Sequence, residues 1–88
     1  MAEASSGKPY IQEGQIRTFE SDVDSKELVW HRDKHSRKVT VIEGQGWQLQ
    51  YNGSLPVELI EGMSYNIPKM LYHRLIKGAN KLIVKIEE

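Results

Sequence analysis

The sequence predicts an all-β fold, and three observations carry that prediction. Runs rich in Val, Ile, Trp and Tyr recur from residue 27 onward, the composition of strands. Clusters of Gly, Asn and Pro punctuate them at regular spacing, as turns do. No stretch longer than about ten residues holds an apolar stripe at helical period. Many short, evenly spaced strands indicate a sandwich or barrel. A chain of 88 residues has room for one domain. It buries a little over ~60% of its unfolded surface, enough to fold alone with modest reserve.

In order, residues 1–9 read as a disordered tail, since Ala, Ser, Gly and Glu there offer nothing to bury. Residues 10–88 form the folded domain. Tyr10 and Ile11 suit a short edge strand. Residues 15–21, with Ile16 and Phe19, fit neither period cleanly and are either irregular or a short strand. Residues 22–25 are a polar turn. Strands are then expected over 27–33, 37–43, 46–51, 55–60, 64–67, 72–76 and 81–87. The turns between them carry Lys34-His35-Ser36, Gly44-Gln45-Gly46, Asn52-Gly53, Glu61-Gly62, Pro68-Lys69 and Lys77-Gly78-Ala79-Asn80. A barrel this short leaves edges that must be covered or paired. The segment 10–19 is the candidate for pairing across a two-fold axis, which implies a homodimer.

Composition excludes several function classes. Twelve basic and twelve acidic side chains cancel, so no polyanion-attracting field is implied and nucleic acid is a poor partner. The absence of cysteine removes disulfides, thiolate catalysis and zinc-finger sites, and fits a reducing cytoplasm. The longest apolar run is too short to span a membrane. The start, Met1-Ala2-Glu3-Ala4, lacks the basic and apolar regions of a secretory signal, so a cytoplasmic location is expected.

The chemistry concentrates in residues 28–46. If 27–33 and 37–43 are strands joined by a tight turn, period two puts His31 and Asp33 on one face. Arg37 opens the return strand close to Asp33. Val39 and Val41 continue that face as apolar residues, which makes it an inner one. Polar groups on an inner face need partners, a ligand or a metal. His73, in the later stretch 62–78, is the group that would answer them. His35 lies in the turn and is expected to be solvated. Trp30 and Trp47 are expected in the core. Gln48 and Gln50 share one face, opposite Trp47, Leu49 and Tyr51. Tyr72 and Arg74 alternate outward beside His73.

Two blocks resemble the paired signatures of the cupin superfamily, a small jelly-roll β-barrel. The first cupin block runs His-x-His, three or four residues, Glu, six residues, Gly; here it reads His31, Asp33, Arg37 and Gly44 at that spacing. The second runs Gly, five residues, Pro-x-Gly, two residues, His; here it reads Gly62, Pro68, Met70 and His73. The likeness covers roughly residues 27–86 and is strongest to small single-domain cupins, some of them phage-encoded. It implies a divalent metal site. His31 and His73 match metal ligands, Asp33 stands in place of the second His, and Arg37 stands in place of the Glu. A guanidinium cannot ligate a cation. What remains, His31, Asp33 and His73, has the composition of a two-His-one-carboxylate triad, suited to iron, manganese, nickel or zinc. Arg37 beside such a centre would hold a substrate carboxylate or phosphate.

Two function classes follow. One is a metal-dependent enzyme acting on a small anionic molecule: a sugar-phosphate isomerase or epimerase in the first place, an iron-dependent oxygenase in the second. The other is a non-catalytic cupin. Its pocket, free of metal, would serve ligand binding or structure, with Asp33 and Arg37 simply an ion pair.

Overall fold

A computed structural model describes residues 8–88. Of the tail expected over residues 1–9, all but Lys8 and Pro9 lies outside the described residues. The strands are β1 (Ile11–Glu13), β2 (Ile16–Phe19), β3 (Arg37–Glu43), β4 (Gln48–Tyr51), β5 (Val57–Glu58), β6 (Ser64–Ile67), β7 (His73–Ile76) and β8 (Leu82–Glu87). A single 3₁₀ turn, Ser25–Glu27, is the one helical element among the described residues. The fold is therefore all-β, as the sequence predicts. No helix in the described residues is long and apolar enough to cross a membrane.

The strands form two antiparallel sheets, one ordered β1-β2-β8-β3-β6 and the other β5-β4-β7. Alternation in β3 turns Val39 and Val41 inward, where they pair with Ile86 and Val84 of β8. Phe19, Leu82 and Ile67 extend that face, and Leu49, Leu59 and Trp47 complete the same core cluster. Trp47 is fully buried, and its indole N–H donates to the Asn80 carbonyl at 2.6 Å, so the ring is buried without an orphaned donor. The loop carrying Asn80 must cross close to residues 45–47. A Cβ at Gly78 would fall on the Gln45 carbonyl oxygen and the Trp47 nitrogen, so only glycine fits there.

The strand expected over 27–33 does not form. Asp24 caps the 3₁₀ turn by accepting from the Lys26 amide at 2.9 Å, and the chain beyond is irregular. Leu28 is buried, but Val29 and Trp30 are both exposed, so the apolar run lacks the alternation a half-buried strand requires. Trp30 is accordingly no core residue: it is 41% exposed, with the Arg74 guanidinium 4.8 Å from its ring centroid. Among the described residues segment 28–33 makes one bridge, His31 to His73, and so runs beside β7 instead of forming a hairpin with β3. Its end is held by the loop after β6. The Met70 amide donates to the Asp33 carbonyl at 2.7 Å, and the Lys69 amide to Ser36 Oγ at 3.0 Å.

Candidate metal centre

His31 and His73 meet through their backbones. The His31 amide donates to the His73 carbonyl at 3.0 Å and the His73 amide returns the bond at 2.9 Å. Residues paired in this way send their side chains to one side of the sheet. The two imidazoles stand 4.4 Å apart between centroids. Asp33, two residues after His31, reaches the same spot. Its Oδ2 lies 3.4 Å from Nε2 of His73. One potential ligand atom from each of the three residues lies within 4.8 Å of the others, a spacing that could hold one metal ion.

The tautomers are fixed by local bonds. Nδ1 of His31 is 2.9 Å from the Val29 carbonyl, and Nδ1 of His73 is 2.8 Å from the Leu71 carbonyl. A carbonyl oxygen only accepts, so each Nδ1 carries the hydrogen and each neutral ring presents a bare Nε2 lone pair. Donation of the second ring nitrogen to a backbone carbonyl is how metal-binding histidines are oriented. His73 is nearly fully buried. Burial lowers its pKa below the ordinary value of 6.5, against the opposing pull of the Leu71 carbonyl, and His31 lowers it further. Asp33 raises it and Arg37 lowers it again, with the balance on the neutral side. A neutral His73 thus points a lone pair at a carboxylate oxygen 3.4 Å away. Two facing acceptors repel unless a proton or a metal ion lies between them. Ligands about 2.1 Å from a shared ion stand about 3–3.5 Å apart, so this pair is already at ligand spacing. Nitrogen, nitrogen and carboxylate oxygen fit a divalent transition metal.

Arg37 sits where the sequence put it, beside Asp33, with Nη1 at 3.6 Å from Oδ1. Its shorter contact is to Glu88, from Nε to Oε2 at 3.0 Å. His35 is exposed and lies outside the cluster. Gln50 accepts from Arg74 at 2.9 Å and donates to the Ser54 carbonyl at 3.0 Å, away from the site. Tyr72 is exposed on the outer side, as alternation predicts.

The three candidate ligands and Arg37 open onto a cavity of about 340 Å³ between the sheets. Its wall is mostly apolar, built from Phe19, Leu28, Val39, Leu49, Ile67, Leu75, Leu82 and Val84. Arg17 also lines it, a residue that sequence reasoning missed. The available signal was period two: if Phe19 faces inward on β2, so does Arg17. Burial pushes its guanidinium below the ordinary arginine value; nearby Tyr10 acts in the opposite direction, Arg37 reinforces the lowering, and Asp33 and Glu88 oppose it.

No protein-family model matches the chain. No curated protein matches it either. Among solved structures, protein NMB1881 from Neisseria meningitidis is similar, with a TM-score of 0.57 at 19% sequence identity over 89% of this chain and 78% of that one. At that identity the likeness speaks to the fold alone.

Proposed function

We propose that this chain is a small single-domain cupin in which His31, Asp33 and His73 hold one divalent metal ion, and that it is a metal-dependent enzyme acting on a small anionic molecule. The observation that carries the reading is the facing pair, the bare Nε2 of His73 and the carboxylate of Asp33 at 3.4 Å, in the company of His31. Two backbone features support the family assignment. Gly62 and Met70 both take left-handed φ, 86° and 64°, at the positions where the second cupin block has its glycines. Eight strands in two antiparallel sheets among the described residues suit a jelly roll.

A divalent ion would supply Lewis-acid polarisation of a substrate oxygen. The chain's own residues bind and orient. The Val29 and Leu71 carbonyls hold the imidazoles, and Arg37, spread between Glu88 and Asp33, anchors the Asp33 side chain at the site. The apolar part of the wall would favour displacement of water when a ligand enters the cavity. It also offers few partners for sugar hydroxyls, which moves the preference from sugar-phosphate isomerisation toward oxygenation at an iron-loaded two-His-one-carboxylate centre. A homodimer formed along β1 belongs to the same proposal.

A metal-free binding role is the second reading, favoured by one fact: Asp33 already has Arg37 at 3.6 Å. Elemental analysis of untagged protein by mass spectrometry separates the two. The enzyme reading expects about one equivalent of transition metal per chain after purification or after incubation with iron, manganese, nickel or zinc. Trace amounts under all of these conditions would leave the metal-free reading.

A further inference from the structure

We propose that the cavity binds a small carboxylic acid with an apolar body, and that Arg17, rather than Arg37, takes its carboxylate. The proposal rests on the cavity being a small-anion site, as argued above, and not on the metal. Arg17 occupies the inward face of β2, opposite the buried Val84 of β8 and on the same side as buried Phe19. Its Nε donates to Gln12 Oε1 at 2.6 Å across the β1–β2 pair, and its guanidinium carbon lies 3.9 Å from the Tyr10 ring centroid. Those two contacts fix the plane of the group. They leave the terminal nitrogens, the fork that grips a carboxylate, without a contacting anion: Asp33 and Glu88 attract Arg17 only from a distance, and among the described residues no carboxylate forms an ion pair with it. Arg37, by contrast, has both Glu88 and Asp33.

A half-buried cation held rigidly and without a contacting carboxylate among the described residues is stabilised by a ligand that neutralises it. Lys8, 5.9 Å from the same Tyr10 ring, adds positive charge at this end of the cavity. The remainder of the wall dictates the rest of the ligand. Apart from Glu27 and the corner of His31, Asp33, Arg37 and His73, apolar side chains from both sheets give a hydrocarbon body favourable contacts and leave hydroxyl groups placed among them unsatisfied. A volume near 340 Å³ is at the lower end of the range for small-molecule pockets, about 300–1,000 Å³. Octanoate combines the required head and body.

The test uses chelator-treated full-length chain and measures affinities by calorimetry for octanoate, octanol, acetate and glucose 6-phosphate. Octanoate should bind at least ten-fold more tightly than the other three. Arg17→Met should weaken octanoate ten-fold or more and leave octanol unchanged, Arg17→Lys should lie between, and Arg37→Met should lose less than Arg17→Met. Octanol binding as well as octanoate, or glucose 6-phosphate binding better, would overturn the proposal in the parent protein alone, whatever the variants' folding. Equal octanoate affinity in parent and Arg17→Lys, or a larger loss in Arg37→Met, would overturn the role of Arg17. A parallel titration with zinc keeps the two readings apart, since octanoate binding without zinc binding would reject the metal centre and leave this inference standing.

Discussion

His31 and His73 exchange both of their backbone hydrogen bonds, at 3.0 and 2.9 Å, although segment 28–33 makes no other bridge to any strand among the described residues. The pairing that fixes the two imidazoles side by side is thus a single rung, made where the chemistry is. Its neighbours reinforce it. Met70 and Lys69 bind the backbone of Asp33 and the side chain of Ser36, so both sequence blocks are tied at the same corner.

The ion pair at that corner should have a measurable share in stability. Arg37→Met leaves the Asp33 carboxylate, which is 13% exposed, facing only a neutral imidazole. A fully buried pair broken in this way loses about 3–5 kcal/mol. The long 3.6 Å contact and the residual exposure of both partners reduce the expected loss to about 1–2 kcal/mol. Adding Asp33→Leu should restore most of it. Urea unfolding of the parent, single and double variants measures both steps, and a single variant as stable as the parent would remove the ion pair from the account.

Acid should weaken the fold through His73. Its pKa is lowered in the folded chain, chiefly by burial, so below the ordinary value of 6.5 the unfolded chain takes up a proton that the folded one resists. The stability His73 contributes is full above that value and is lost as pH falls through the lower folded value. Chelator-treated parent should therefore lose stability from pH 7.5 to 5 faster than His73→Asn, whose amide keeps a donor for the Leu71 carbonyl. Parallel pH profiles for the two would contradict a depressed pKa.

The sequence showed more of this site than of its scaffold. Strict alternation made β3 and β6 legible to the residue, and with β3 the inward pair Val39 and Val41. Period two also put His31 and Asp33 together, and block spacing brought in His73. The partner of His31 was misread because alternation says which way a side chain points and nothing about which distant strand lies alongside. Leu28-Val29-Trp30 looked like strand because it is apolar, yet two of its three side chains face solvent. Arg17 was hidden because its four-residue strand was not recognised as one, so the period-two relation to Phe19 was not applied. Glu88 meets Arg37 across fifty-one positions, a contact no local pattern encodes.

Assembly is testable at the edge. Among the described residues β1 pairs only with β2, and Ile11 on it is 47% exposed. An unprotected edge of this kind favours pairing with a second copy. Light scattering at tens of micromolar should give a dimer, and Ile11→Lys should shift it to monomer. A monomeric parent would reject the dimer outright.

The central claim is that His31, Asp33 and His73 hold one divalent ion. The most direct measurement is calorimetric titration of chelator-treated protein with zinc, in the parent and in His73→Asn, Asp33→Asn and His35→Ala. The account predicts one ion per chain in the parent and in His35→Ala, no stoichiometric binding in His73→Asn, and at least ten-fold weaker binding in Asp33→Asn. No binding by the parent, or equal binding by all four, would contradict it.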